Sequence, residues 1–171
     1  MTFAELAKNR YSVRRFQDKQ ISDVELDQIL ETGRVAPSTH NNQPQRVFVA
    51  RRREVLEKIA SVCPCTFGAP TILAVGYDVT RQRMSKLNPG YGFGENDAAI
   101  VITHMMLQAA DLGIGSCWVG MFNREALQTA LQLPEEVVVT GLLVLGYPAE
   151  DAKPAPLHSQ YRPREETVTE L

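Results

Sequence analysis

The segment Arg10-Tyr11-Ser12-Val13-Arg14-Arg15-Phe16 is a short basic stretch that also holds a hydroxyl group and two aromatic rings. It lies between two helix signals, which predicts a loop that is held at both ends. Three arginines fall within six positions, and they repel one another unless an anion lies among them. The planar guanidinium group matches phosphate and carboxylate better than other side chains do. This segment, called the arginine loop below, is therefore either an anion site or a solvated basic loop.

Two capping boxes flank the arginine loop. Thr2-Phe3-Ala4-Glu5 predicts a helix of one or two turns that stops by Asn9. Ser22-Asp23-Val24-Glu25 predicts a second helix, because apolar residues follow it at helical spacing. That helix is expected to run to about Val35, since Pro37 ends it.

Apolar and β-branched runs predict three strands. They cover Val47 to Ala50, Thr71 to Tyr77 and Val137 to Leu145. Helices are expected from Val55 to Ala60 and, with Asn123 as the cap, through Leu131. The irregular order of helices and strands favours an α+β fold over a doubly wound sheet. No repeat or linker divides the chain, which predicts a single domain over residues 1–171.

The region from Glu95 to Leu112 predicts a long helix that is apolar nearly all round. Such a helix is either at the centre of the core or shared across a dimer interface. The preceding residues, Asp78 to Gly94, have little periodicity and end in Pro89-Gly90-Tyr91-Gly92-Phe93-Gly94. Long connections of this kind are often functional, so this loop is a candidate flap over a site.

Composition limits the classes of function. The chain has 171 residues and a formal net charge of -2, which argues against a nucleic-acid-binding protein. The arginine loop therefore serves one local anion better than it serves a polymer. Three cysteines with no paired spacing argue against a disulfide framework and a zinc site. Without a signal-peptide pattern or an apolar run of membrane length, the chain is expected to be cytoplasmic.

Three further segments carry chemistry. Ala36-Pro37-Ser38-Thr39-His40-Asn41-Asn42-Gln43-Pro44 has side chains that hydrogen-bond flat polar groups, although a structural turn has a similar composition. Gly113-Ile114-Gly115-Ser116-Cys117-Trp118-Val119-Gly120 holds the sole tryptophan, between glycines that allow the backbone to approach a ligand. Leu145-Gly146-Tyr147-Pro148-Ala149-Glu150 precedes a tail that carries Arg162 and Arg164.

In this order, the arginine loop and these three segments resemble the nitroreductase family of FMN-dependent oxidoreductases. The arginine loop is similar to the family's Arg-Ser-x-Arg-x-Phe, and residues 36–44 are similar to its Ala-Pro-Ser-x-x-Asn-x-Gln-Pro. The resemblance covers almost the whole chain. It implies a mainly antiparallel central sheet flanked by helices. It also implies an intertwined homodimer with two FMN sites at the interface, each built from both chains.

The resemblance also implies a role for each matching residue. Arg10 and Ser12, with Tyr11 between them, would meet the FMN phosphate and ribityl chain, and Arg14 would approach the N1 and C2 carbonyl edge of the flavin. The remaining expected contacts are Pro37, Ser38, Asn41 and Gln43 from the partner subunit, the Trp118, Val119 and Gly120 backbone at the other flavin edge, and Arg162 or Arg164 at the phosphate. Arg15 is expected to point into solvent.

The implied activity is transfer of a hydride from NADH or NADPH to a nitroaromatic, quinone or similar acceptor by a ping-pong cycle. The chain shows no grouping for nucleophilic catalysis, so no catalytic acid, base or metal ligand is assigned. Two alternatives stay open. One is another flavin reaction on the same fold, such as dehalogenation, enoate reduction or flavin breakdown. The other is a dimer that stores or senses FMN without turnover.

Several residues have an ordinary structural explanation beside a functional one. Cys117 is expected to be a buried structural thiol rather than a reactive one. His104 is expected to be a hydrogen-bonded core or interface residue rather than a ligand, and Met105 is expected to fill the core. Tyr91 and Phe93 either stack over the flavin or pack their own loop.

Overall fold

The computed structural model describes residues 1–171 as four β-strands and six α-helices. The strands are β1 Gln45–Ala50, β2 Thr71–Asp78, β3 Gly115–Val119 and β4 Val137–Gly146. The helices are α1 Phe3–Asn9, α2 Asp23–Arg34, α3 Arg53–Val62, α4 Gly94–Asp111, α5 Arg124–Leu131 and α6 Arg164–Thr167. Two short 3-10 turns cover Thr39–Asn41 and Pro156–Ser159.

The four strands form one antiparallel sheet in the order β1-β2-β4-β3. At one edge of the sheet Gln45 of β1 pairs with Tyr77 of β2, and at the other edge Gly115 of β3 pairs with Gly146 of β4. The register between β2 and β4 shifts after Val75, where β4 carries an extra residue. This arrangement of one antiparallel sheet with helices on it confirms the expected α+β class.

Helices cover both faces of the sheet. Side chains alternate between the faces along each strand, so successive apolar residues are buried under different helices. On one face Leu73 and Leu143 are fully buried beneath α4 and α2. On the other face Ile72 and Leu142 pack with α3 and α5. Each such side chain stabilises the fold by about 1.5–3 kcal/mol through burial.

The sequence signals for helix ends are confirmed. Thr2 and Ser22 cap α1 and α2, and both capping boxes are complete. Asn123 caps α5 by accepting a hydrogen bond from the backbone N–H of Ala126 at 2.9 Å. Met105 is fully buried, as expected, and lies against Gly33 of α2, where a Cβ atom would collide with it.

Three segments differ from the sequence expectations. Residues 115–119 form strand β3, where no strand was predicted. The tail contains two short helical turns. The loop from Asp78 to Gly94 folds back on itself, because Met84 bridges Gly92. None of the helices is both long enough and apolar enough to cross a membrane.

Candidate functional site

The arginine loop is fixed against strand β3. Ser12 bridges Ser116 in parallel, and the backbone N–H of Val13 donates to the carbonyl of Ser116 at 2.9 Å. The side chain of Val13 is buried and lies against Gly115, where a Cβ atom would overlap it. At the end of the loop, Phe16 bridges Pro148. Backbone bridges near both ends of the loop therefore hold it against the rest of the fold.

The arginine side chains of the loop divide into two kinds. The guanidinium of Arg15 forms an ion pair with Asp151 at 2.9 Å and is 69% exposed, as expected for a solvated residue. Arg10 instead reaches the sulfur of Met106 at 3.5 Å. Arg14 donates to the carbonyl of Ser12 at 3.4 Å. Neither Arg10 nor Arg14 meets a carboxylate group within the chain, so both positive charges are uncompensated.

Tyr11 connects the arginine loop to the start of the tail. Its hydroxyl donates to the carbonyl of Ala152 at 3.4 Å, and the ring of His158 lies edge-on at 6.2 Å between centroids. Beside it, a cavity of about 180 Å³ opens between α1 and the C-terminal end of α4. Arg162 and Arg164 lie further along the exposed tail, where their side chains make no hydrogen bond or ion pair. No hydrogen bond or ion pair joins these two arginines to the arginine loop.

Strand β3 places the tryptophan segment beside the arginine loop. Trp118 lies on the face of the sheet that carries α4, and 36% of it is exposed at the sheet edge. Its indole nitrogen lies over Gly141, where a Cβ atom would overlap it. Val119 is buried, while Gly120 is exposed with free space around its α-carbon.

Cys117 points to the opposite face from Trp118 and is 4% exposed. Burial raises the pKa of its thiol, although the nearby Ser12 side chain and the charge of Arg14 oppose that shift. A buried thiol that stays protonated is a structural residue, as the sequence predicted.

Residues 37–44, called the polar segment, form a strained turn. His40, Asn41 and Gln43 have φ values of 54°, 54° and 50°, which lie in the left-handed region. A side chain in this region costs roughly 1–2 kcal/mol, and less for asparagine. The hydroxyl of Ser38 closes the turn by accepting from the backbone N–H of Gln43 at 3.0 Å. Strain of this kind is common at ligand-binding loops.

A residue that sequence reasoning missed anchors the polar segment. Asp97 in the first turn of α4 is 1% exposed, and its Oδ1 accepts from the Thr39 backbone N–H at 2.8 Å and hydroxyl at 3.0 Å. Its Oδ2 is buried with no hydrogen-bond partner. Its position next to Ala98 and one turn before Val101, on the apolar side of the helix, was the signal that could have revealed it.

The polar segment and the arginine loop lie far apart within one chain. The segment contacts Asp97, whereas the loop contacts Met106, nine residues further along α4. Nine residues correspond to two and a half helical turns, so these contacts lie about 14 Å apart along the axis and on opposite sides of the helix. A single chain therefore assembles Arg10 and Ser12 with strand β3, but it does not bring Ser38, Asn41 or Gln43 to them.

The loop from Asp78 to Gly94 is rooted beside the polar segment. The side-chain amide of Asn42 donates to the carbonyl of Arg81 at 3.2 Å. Within the loop, Tyr91 and Phe93 pack edge to face at 5.0 Å, and the Tyr91 hydroxyl donates to Asn96 at 2.9 Å. These two rings pack their own loop in this chain. No group of three or more His, Cys, Asp or Glu side chains is placed to hold a metal ion.

The sequence profile described as the nitroreductase family matches residues 7–66 and 62–147. A curated protein of Archaeoglobus fulgidus, provisionally named NADH dehydrogenase/NAD(P)H nitroreductase, is 36% identical over 148 residues, and the match covers 83% of each chain. The profile match includes the arginine loop, the polar segment and strand β3.

Solved structures give the same result. A nitroreductase family protein from Clostridium difficile 630 superposes with a TM-score of 0.92 at 32% identity, over 99% of this chain and 98% of that one. A nitroreductase with bound FMN from Bacteroides fragilis NCTC 9343 superposes with a TM-score of 0.79 at 27% identity, over 100% and 99% of the two chains. From its sequence, its fold and the placement of its motifs, the chain belongs to the nitroreductase family.

Proposed function

We propose that the protein is an FMN-dependent NAD(P)H oxidoreductase that works as a homodimer. The observation that carries this proposal is the pair of arginines, Arg10 and Arg14, held on a rigid loop without a carboxylate partner. Two uncompensated guanidinium groups so placed suit a ligand with a phosphate and a planar, hydrogen-bonding ring. FMN has both, and a family member is described as a nitroreductase with bound FMN.

The residues present fit the cofactor. In this proposal Arg10, Tyr11 and Ser12 hold the phosphate and ribityl chain, and Arg14 lies at the N1 and C2 carbonyl edge of the flavin. The second copy contributes Pro37, Ser38, Asn41 and Gln43, and the remaining members of the site are Trp118, Val119, Gly120, Arg162 and Arg164. Arg162 and Arg164 are exposed and unpaired, which leaves them available to an anion.

FMN, when bound, supplies the transfer of a hydride from NADH or NADPH to an acceptor such as a nitroaromatic or a quinone, with donor and acceptor binding in turn. The protein supplies binding, orientation and electrostatics. A fixed positive charge at Arg14 favours the more negative reduced state of the ring system over the oxidised state. Because this chemistry needs no protein nucleophile, no catalytic acid or base is assigned.

The separation of the motifs along α4 supports the homodimer. Within one chain the polar segment and the arginine loop contact opposite sides of α4, and in this proposal the polar segment of a second chain lies beside the arginine loop. Helix α4 has a side that its own chain leaves open, where Ile100 is 36% exposed and Thr103 and Leu107 are partly exposed. His104 lies on this side and donates to the Ile100 carbonyl at 2.9 Å. An apolar stripe of this kind suits an interface.

Purification of the protein tests the proposal. We expect a yellow protein that releases FMN on denaturation and oxidises NADH or NADPH when a nitroaromatic or a quinone is supplied. A colourless protein that cannot be reconstituted with FMN would contradict the proposal. Bound FMN without NAD(P)H oxidation would indicate storage or sensing. Turnover with a halogenated or unsaturated acceptor, but not with nitroaromatics or quinones, would indicate another reaction on the same fold.

A further inference from the structure

We propose that Asp97 is a positioning residue of the flavin site. It holds the polar segment in the strained conformation in which that segment meets FMN. This inference rests on the proposed function and assigns a role to a carboxylate that lies outside all four motifs.

The geometry limits what Asp97 can do. Both hydrogen bonds accepted by its Oδ1 come from Thr39, at the start of the 3-10 turn, and both distances are 3.0 Å or shorter. The carboxylate is 1% exposed, so water does not compete for these bonds. They are the only side-chain hydrogen bonds that join the polar segment to α4. The helix is thus connected to the segment through a single side chain.

The polar segment needs such an anchor. Left-handed conformations at His40, Asn41 and Gln43 are unfavourable, and they persist only where surrounding structure determines them. The bond from Gln43 to Ser38 closes the turn internally but does not fix the turn to the fold. The bond from Asn42 to Arg81 ties it only to an exposed loop. Asp97 fixes the Thr39 end of the segment to helix α4, while the other end is fixed where the Pro44 carbonyl accepts from the backbone N–H of Asp78 at 2.8 Å.

The charge of Asp97 fits this positioning role. A carboxylate accepts stronger hydrogen bonds than a neutral group does. The first turn of α4 favours a negative charge because the helix dipole is positive at that end. Yet Oδ2 is buried with no partner, which is unfavourable, and a structural contact alone would not require a charged group. A strained turn that has to be held does require a strong acceptor.

Three variants test this role. Asp97→Ala removes both hydrogen bonds, Asp97→Asn keeps an acceptor oxygen but removes the charge, and Thr39→Ala removes only the hydroxyl bond. The matched control is Glu95→Gln, which removes a carboxylate from the same helical turn. Glu95 is exposed and pairs with Arg124 at 2.7 Å instead of with the polar segment.

Two measurements are made on the full-length proteins. The first is hydrogen exchange of the apo-protein amides at Thr39, Asn41, Asn42 and Gln43, all of which are hydrogen-bonded in the structure. The second is the dissociation constant for FMN, below the unfolding temperature of every variant. A purely structural role would lower thermal stability without changing FMN affinity.

We expect Asp97→Ala to accelerate exchange at these amides and to weaken FMN binding about tenfold or more. Thr39→Ala should have a smaller effect, Asp97→Asn an intermediate one, and Glu95→Gln none. If Asp97→Ala does not fold, Asp97→Asn and Thr39→Ala decide the question.

Every other outcome contradicts the inference, and the combination of exchange and FMN-affinity results shows which step of it is wrong. Unchanged exchange in the variants would show that Asp97 does not hold the segment. Faster exchange with unchanged FMN affinity would show that holding the segment has no consequence for the cofactor. A wild-type protein that binds no FMN would overturn the proposed function, and the positioning role would be lost with it.

Discussion

Arg14 and Arg15 are neighbours with opposite environments, and this contrast makes a prediction. Arg15 has a carboxylate partner in Asp151, while Arg14 has none. We expect Arg14→Ala to weaken FMN binding roughly tenfold to a hundredfold, the range for loss of a hydrogen bond from a charged group. It should also lower the reduction potential of the flavin by tens of millivolts. For a two-electron reduction, each 1.4 kcal/mol by which the reduced flavin is destabilised relative to the oxidised flavin lowers the potential by about 30 mV.

The measurements are an FMN titration and a redox titration. Arg15→Ala is the matched control, because it removes the same charge one residue away and should change neither value. Arg14→Lys should keep most of the potential while it loses part of the affinity, since lysine supplies the charge without the planar fork. An unchanged potential in Arg14→Ala would remove Arg14 from the flavin ring.

At the scale of the element, the capping box of α2 makes a pH-dependent prediction. Hydrogen bonds from the Ser22 hydroxyl, from the Tyr147 hydroxyl at 2.7 Å and from the Ser22 backbone N–H lower the pKa of Glu25. A carboxyl group with a lowered pKa stabilises the fold above its unfolded value of about 4.3, and this contribution is lost as pH falls through the folded value. Because Glu25 is still partly exposed to water, the effect should stay below about 1 kcal/mol.

Urea unfolding of the wild type and Glu25→Gln measures this effect. We expect the variant to be less stable than the wild type at pH 7 and the difference to shrink as the solution is acidified below about pH 4.3. If the difference in unfolding free energy between the wild type and the variant is the same at pH 7 and below about pH 4.3, ionisation of Glu25 does not stabilise the fold.

Helices α1 to α5 could be predicted from sequence because their signals are local. The capping boxes at Thr2 and Ser22 and the cap at Asn123 lie within three residues of the groups they satisfy. Strand β3 was missed because its hydrogen bonds come from β4, more than twenty residues away in sequence, and its glycines weaken the strand pattern. The pairing of Ser12 with Ser116 was invisible for the same reason.

Some parts of the candidate site could be predicted from the sequence, and others could not. The arginine loop was identified because clustered guanidinium groups are unusual, and the structure leaves the predicted pair, Arg10 and Arg14, without carboxylate partners. Asp97 was missed because its partner, Thr39, is 58 residues away, and because an acidic residue in a first helical turn is ordinary. The conformation of the polar segment was also hidden, since non-glycine residues such as His40 and Gln43 rarely adopt a positive φ.

For the whole molecule, the separation of motifs along α4 predicts how two chains share their sites. If each FMN lies between the arginine loop of one chain and the polar segment of the other, a dimer has two equivalent composite sites. A defect in the loop and a defect in the segment then fall on the same site or on different sites, according to which chains carry them.

Mixed dimers therefore test the assembly directly. One chain carries Arg14→Ala and the other carries Asn41→Ala with Gln43→Ala, and two affinity tags select the mixed species after co-expression. Composite sites predict one site with both defects and one intact site, so the mixed dimer should bind one FMN with wild-type affinity at concentrations where either variant homodimer binds almost none. If instead each site came from one chain, every site in the mixed dimer would carry a single defect, and its FMN binding would be as weak as that of the homodimers.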